Sequence, residues 1–400
     1  MTSRAAWAGL AVLALVALAS LSAWRNDSPL LPADGEHATD GTAWLFLILL
    51  VAAFVAYLVG LALARRGLPL RTAVAVAVAI QLVPLAAPLL LSTDAWTYWG
   101  YGFIGVEGGN PYADAPAAFP ESPAAAYVGA DWRETTSVYG PVFTLLSEPI
   151  SRLAGSSPGA AAWLFKALAA AGIVATVAAV AHWARGSALA VAFVGWNPVL
   201  AIHLAGGGHN DALVAALVSG GVVLVAARRH TVGGIAWALA ILVKWIPLVF
   251  LALVLFAGRS SGRRSLLTAV AGTSVLVGLV ATWRYGLDWL GAFGLLAENA
   301  SQETSYALPA RLEQAGVPDA LALGLALGLL GVGLAFLARD AYNGNARLGR
   351  AACLVLATTP YLAVWYLAWA VPLAALDDDR PARLAALGLT AYLLPQTIPL

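Results

Sequence analysis

Charge is what this 400-residue chain lacks most. Its 22 basic and 21 acidic residues amount to 11%, where a soluble chain of this length carries on the order of 100 such residues. A single cysteine, Cys353, excludes a disulfide framework, and no Cys/His spacing suits a structural zinc site. Lysine is nearly missing as well: Lys166 and Lys244 are the only two, so arginine supplies every other cation. What remains is apolar. Hydrophobic residues make up 61% of the chain and the mean hydropathy is +0.80. They fall in runs of roughly 20 residues, enough to cross a hydrocarbon core about 30 Å thick. The sequence predicts an all-α polytopic membrane protein.

Apolar runs occur at about 5 to 24, 43 to 64, 71 to 91, 158 to 183, 187 to 205, 211 to 227, 231 to 257, 265 to 283, 318 to 338, 351 to 376 and 383 to 399. The first is longer than a signal-peptide core and is expected to be retained, although Leu21-Ser22-Ala23 resembles a cleavage site. Between the runs the charges alternate in sign. With the N-terminus in the cytoplasm, 15 of the 20 arginines lie inside with only Asp340, Asp377, Asp378 and Asp379, while the other 17 acids lie outside or at that boundary. The positive-inside rule therefore predicts a cytoplasmic N-terminus and outer loops at 92–157 and 284–317.

This sidedness has a consequence for 231–257 and 351–376, which begin and end near cytoplasmic arginines. Neither is long enough to cross twice at about 1.5 Å per residue. Each is expected to be a pair of short helices, broken near Pro247 or Pro360, because proline lacks an N–H. Non-helical backbone at that depth is tolerated only against protein or a water-filled cavity. The count becomes about 13 membrane helices including the two broken pairs, in a single membrane domain over 1–400.

The outer loop at 92–157 opens with Ser92-Thr93-Asp94 directly after a run, followed by Trp96, Tyr98, Trp99 and Tyr101. Seven prolines between Pro111 and Pro158 keep it from being one helix. Residues 141–154 are apolar in helical register but include Glu148 and Arg152, which suits an interfacial helix. The aromatics equally suit a belt at the membrane boundary. Asp94 lies at that boundary, where desolvation is expected to raise its pKa and make it a stronger base, as deprotonating an alcohol requires. Its plain alternative is a helix-terminal surface acid.

A second constellation is Trp196-Asn197-Pro198 followed by Gly206-Gly207-Gly208-His209-Asn210-Asp211. The glycines permit close backbone approach to a ligand, and His209, Asn210 and Asp211 offer a titratable ring beside hydrogen-bonding groups. Asp211 is equally suited to capping the next helix. Lys244 stands inside the first broken pair, where an ammonium must meet a carboxylate, a phosphate or water. Lys166 is placed to snorkel to the outer interface. Arg133 is a further candidate anion ligand, and Trp365 and Tyr366, beside the second break, are expected to line the same cavity.

These stretches resemble the polyprenol-phosphate-mannose-dependent mannosyltransferases of the GT-C superfamily, and among them the actinobacterial α-1,6-mannopyranosyltransferases of lipomannan and lipoarabinomannan assembly. The matching residues are Ser92-Thr93-Asp94 with Tyr98 and Gly102, Gly109-Asn110-Pro111-Tyr112, Tyr139-Gly140-Pro141, Asn197-Pro198, Gly206 to Asp211, and Lys244 with Pro247. The resemblance implies a cell-membrane enzyme with its site on the extracytoplasmic face. It implies Asp94 as catalytic base; taken with the residue pattern, Lys244, Arg133 and His209 are expected on the donor phosphate, and Tyr98, Tyr112, Tyr139, Asn210, Asp211, Trp365 and Tyr366 on substrate. The expected partners are a polyprenyl-phosphate sugar, a lipid-linked glycan acceptor and membrane lipids, with no nucleic acid. No metal is required, though Asp94 and Asp211 are the pair able to hold one. A transporter or flippase is the competing class, since broken helices and midplane charges also serve transport, and a noncatalytic scaffold is the third.

Overall fold

The computed structural model describes residues 4–25, 41–184, 186–257, 262–294, 303–377 and 379–397. Outside the described residues lie Arg185, Arg259, Asp378, the acids between 26 and 40, the 295–302 part of the second outer loop and the end of the final apolar run.

Among the described residues every regular element is helical. The first three are α1 (Arg4–Arg25), α2 (Gly41–Ala64) and α3 (Leu70–Leu82). The expected run 71–91 is shorter as a helix than as a sequence pattern. α3 gives way to a 3₁₀ turn at Val83–Ala86, because Pro84 and Pro88 withhold the amides that would continue it. The outer loop contributes α4 (Asp94–Val106) and α5 (Pro141–Ala154), and α6 (Pro158–Trp183) follows. α5 has the predicted bounds, opened by Pro141 at a position where a missing N–H costs nothing.

The run at 187–205 is bent. α7 (Ala188–Gly195) meets the three-residue α8 (Pro198–Leu200) and a π-helix over Ala201–Gly206 at 43°. Proline at 198 accounts for the break, and Asn197 caps the second piece by accepting from the amides of Val199 and Leu200. Trp196 is buried in the angle, its indole N–H donating to the Ala73 carbonyl at 3.1 Å. Gln81 holds the other side by donating to Gly195 O at 3.0 Å.

Next come α9 (Asp211–Ala226), α10 (His230–Val243), α11 (Pro247–Ala257) and α12 (Arg263–Tyr285). The chain continues with α13 (Leu308–Gln314), α14 (Asp319–Tyr342), α15 (Leu348–Thr358), α16 (Leu367–Leu376) and α17 (Arg380–Leu393). Both predicted breaks are present. One is the extended residue Lys244 and its neighbours between α10 and α11; Pro247 opens the second helix rather than sitting in the gap. The other runs from Thr359 to Ala363, before a 3₁₀ turn that leads into α16.

Five described helices are long and apolar enough to cross a membrane, or six with the bent pair as one span. The remaining apolar helices are shorter, in keeping with breaks that divide long runs. α6 has half of its most apolar window buried and is central, whereas α12 has only 11% buried and α14 17%. The outward leucines, valines and Trp283 of α12 and α14 therefore form the surface such a protein turns to lipid.

Candidate functional site

Helix ends, rather than helix faces, bring the chemistry together. Asp94 opens α4, His209 and Asp211 precede and open α9, Lys244 follows α10, and Trp365, Tyr366 and Trp369 surround the start of α16. The turn before Asp94 is built by proline and by Leu91, which adopts φ 62°. That left-handed conformation is uncommon for a residue with a branched side chain. Within the turn the Leu90 amide donates to the Gly206 carbonyl, joining the Asp94 loop to the His209 loop. The Asp94 amide donates to Ser92 Oγ.

The three glycines approach protein here. A β-carbon at Gly207 would stand 2.6 Å from the His203 carbonyl and 2.9 Å from the His209 ring. Gly208 has φ +73° and faces Ala95 just behind Asp94. Their smallness lets the His209 loop lie directly under α4.

Asp94 Oδ2 lies 3.1 Å from His209 Nδ1 and 3.2 Å from the Tyr98 hydroxyl, which donates to it. Burial pushes the Asp94 carboxyl up. The His209 hydrogen bond and charge, the Lys244 charge and the Ser92 hydroxyl outweigh it and hold the group below the ordinary carboxylate range. This corrects the sequence expectation of a raised pKa: desolvation is present, but opposing charge and hydrogen bonding exceed it. Ionised, the carboxylate only accepts, so His209 must carry its proton on Nδ1. The imidazole stacks on Trp365 at 3.9 Å with 12° between planes, and Tyr98 is wedged edge-on among Tyr139, Phe143 and Phe165. Both partners of Asp94 are thus locked by aromatic packing.

The second pair is ionic. Lys244 Nζ lies 3.0 Å from both oxygens of Asp211, and the Trp369 indole donates to Asp211 Oδ1 at 2.8 Å. The ammonium also lies 4.9 Å from the centroid of Tyr366, which stacks on Trp369. Asp211 is 1% exposed and Lys244 14%. An ammonium has three donors, so a lysine that remains partly open to the cavity can serve Asp211 and an incoming anion together.

Asp94 and Lys244 line one cavity of about 340 Å³, within the range of small-molecule sites. Its lining includes Trp365 and Tyr366, which the sequence places at this cavity, together with Tyr139, Trp132, Tyr361 and Trp369. Trp369 had a legible signal, standing three residues beyond Tyr366 at the start of an apolar helix. The rest of the lining is largely apolar and includes Val249, Leu327, Leu330, Leu334 and Val355.

His209, Tyr98 and Asp211 stand behind this lining, each bonded to a residue that forms it. Tyr112 and Arg133 lie elsewhere, and Asn210 sits between His209 and Asp211 with its backbone bonded to the Tyr98 hydroxyl. Tyr112 donates to the Tyr139 carbonyl and packs on Tyr285, which locks the outer loop. Arg133 is turned to the Val128 carbonyl, and Asn210 is buried beneath the start of α9. Asp94 and Asp211 are engaged by different partners, His209 and Lys244.

A family described as alpha-(1->6)-mannopyranosyltransferase, N-terminal domain, matches residues 6–258, and glycosyltransferase family 87 matches residues 138–396. The chain is 32% identical over 184 residues to alpha-(1->6)-mannopyranosyltransferase A of Corynebacterium glutamicum, covering 44% of this chain and 37% of that one. It is 27% identical over 348 residues to alpha-(1->6)-mannopyranosyltransferase A of Mycobacterium tuberculosis, covering 77% of this chain and 67% of that one. A probable alpha-(1->6)-mannopyranosyltransferase of Mycolicibacterium smegmatis is 30% identical over 225 residues, covering half of this chain and 38% of its own. The chain thus spans little more than a third of the first and third relatives. No solved structure matches.

Proposed function

From the chain's membership of the alpha-(1->6)-mannopyranosyltransferase family and of glycosyltransferase family 87, we propose that it transfers a sugar, mannose in the first instance, from a polyprenyl-phosphate donor to a hydroxyl of a lipid-linked glycan. The observation that carries this reading is one cavity lined both by Asp94 and Lys244 and by several leucines and valines. A polyprenyl phosphate asks for that combination of a cation and an apolar channel.

In this mechanism the acceptor hydroxyl attacks the anomeric carbon as its proton passes to Asp94. The bond from that carbon to the phosphate oxygen breaks, and polyprenyl phosphate leaves with the electron pair, its charge met by Lys244. Attack from the face opposite the phosphate inverts a β-linked donor to an α product. A second carboxylic acid is unnecessary because phosphate departs without protonation, unlike the sugar alkoxide released by hydrolases. The lowered pKa of Asp94 is compatible with this role. In an oxocarbenium-like transition state the carbon is already electron-poor, so a weak base in the right place suffices.

The arginine-rich ends of the helices set the orientation in this reading. Arg347 and Arg350 at the start of α15 bind Asp379, just beyond the far end of α16, about 15 Å from the cavity end by helix length. With those arginines in the cytoplasm, the cavity faces the extracytoplasmic side.

The test is transfer of radiolabelled mannose from polyprenyl-phosphate-mannose to an oligomannoside by purified, folded protein. Asp94→Asn should lower turnover by about 10²–10⁴-fold. Wild-type transfer by that variant would remove Asp94 from the base role, and donor crossing the bilayer without transfer would favour a transporter instead.

A further inference from the structure

We propose that Lys166 is a positioning residue, whose ammonium fixes the turn before Asp94 against the loop that carries His209 and so sets the separation of those two side chains. The inference rests on the reading of Asp94 as the base.

Lys166 is anomalous in its surroundings. It lies about two turns inside α6 and is 1% exposed, so its head is met by protein rather than water. Its Nζ donates to the carbonyls of Ala87 and Pro88, the latter at 3.1 Å. Burying an ammonium against neutral acceptors is costly, and an apolar side chain would fill the same volume without that cost. What the ammonium supplies is two hydrogen bonds to the carbonyls of the segment that joins α3 to α4. Ala87 and Pro88 follow the 3₁₀ turn at Val83–Ala86, where the chain has left one helix and has not begun the next.

The same side chain reaches the second loop. A β-carbon placed on Gly208, the residue before His209, would lie 3.6 Å from Lys166 Cγ and 3.1 Å from the β-carbon of Ala95, the residue after Asp94. Lys166 therefore bonds the approach to Asp94 through its head, while its stem lies close enough to Gly208, on the approach to His209, that a single added β-carbon would meet it. Its neighbours on α6 extend the contact: Phe165 packs edge-on against the Tyr98 ring at 5.5 Å, and the Pro158 carbonyl accepts from the Trp96 indole at 3.0 Å. The left-handed Leu91 lies between the two carbonyls and Asp94, so a turn released by Lys166 has a more comfortable conformation to relax into.

The experiment uses the 400-residue chain in detergent or nanodiscs, with Lys166→Met to remove the donors and Lys166→Gln to keep an uncharged amide donor on a shorter side chain. For folded Lys166→Met the expectation is a 10- to 100-fold lower kcat, a donor KM within about twofold of wild type, and an acid limb of the kcat–pH profile moved upward, because Asp94 would sit farther from His209. Lys166→Gln should fall between the two. Wild-type kcat and pH profile in folded Lys166→Met would overturn the proposal, as would a raised donor KM at unchanged kcat. A loss that only tracks the amount of folded protein, with the profile unmoved, or failure of both variants to fold, would reassign the lysine to the fold. An active Asp94→Asn would undo the base assignment itself, whereas an inactive Asp94→Asn beside a fully active Lys166→Met would undo only the role of Lys166.

Discussion

The Asp94 carboxylate and the His209 imidazole meet at 3.1 Å although 115 residues separate them in sequence. The contact is the first of the influences that lower the carboxyl's pKa, ahead of the Lys244 charge and the Ser92 hydroxyl, against the burial that raises it.

Removing His209 should therefore change the pH dependence of turnover. The base must be ionised, and in the wild type it stays so down to pH values below the ordinary 3.8. His209→Ala takes away the largest lowering influence and leaves burial opposed only by the Lys244 charge and the Ser92 hydroxyl, so the acid limb should move up by about one pH unit. The same depressed pKa contributes folding stability that is present above the unfolded value and lost as pH falls through the folded one. A kcat–pH series on both proteins reads the shift, and superimposed acid limbs would disprove the coupling.

Lys244 and Asp211 should separate stability from binding. Lys244→Met leaves a carboxylate that is 1% exposed without its ion partner, which should cost about 3–5 kcal/mol. Lys244→Met combined with Asp211→Asn removes that buried charge while Trp369 keeps an oxygen to donate to. The double variant should unfold near the wild-type temperature yet retain the raised donor KM of Lys244→Met. Thermal unfolding in detergent and transfer kinetics read the two effects separately, and a donor KM restored by the double variant would count against phosphate binding.

Two glycines should be intolerant for reasons of space. A β-carbon at Gly140 would lie 2.1 Å from the Leu242 carbonyl, and one at Gly102 would lie 2.2 Å from Ser151 Oγ and 2.4 Å from the Ser147 carbonyl. The first joint presses the start of α5 onto the chain just before Lys244; the second packs α4 on α5. Each alanine should cost about 1–3 kcal/mol, with transfer falling as well. Gly220→Ala, with nothing within 4 Å of the added carbon, should be neutral or slightly stabilising. Unfolding midpoints of the three variants would reveal a wrong ranking.

Arg284 should act on the outer loop rather than on chemistry. It donates to the Gly105 carbonyl at 2.7 Å and pairs with Glu148, which also accepts from Tyr285. Arg284→Met should expose residues 107–140 to protease many times faster while kcat falls less than tenfold. Equal cleavage rates in variant and wild type would argue that the brace is dispensable.

Much of this arrangement was legible in the residues. The bounds of α5 and α6 follow from proline placement and apolar register, and both helix breaks follow from run length set against the sidedness of arginine. Asp94, Lys244, Trp365 and Tyr366 could be gathered into one cavity because each is a polar or aromatic residue at a break or boundary. The pairings were not legible. Nothing in a run of glycines says that Gly207 packs on its own loop and Gly208 against α4 rather than around a ligand, and nothing beside Lys244 names Asp211. The direction of the Asp94 pKa failed for the same reason: boundary position reveals burial, but the opposing charges arrive from residues 115 and 150 positions away. Arg133 and Tyr112 were plausible by residue type and are held elsewhere by loop contacts that only the folded chain makes.

The π-helix at Ala201–Gly206 gives the site a dependence on counting. Each residue in an α-helix turns the chain by about 100°, and a π turn accommodates one residue more than an α turn does. Between the cap at Asn197 and the imidazole at His209, that added residue fixes the compass bearing at which the loop leaves the helix. Substitutions within 201–206 preserve the tally and hence the bearing; removing a single residue there would swing His209 by about a quarter turn away from Asp94 with every side chain of the pair still encoded. At this point length is as much a determinant of the site as residue identity.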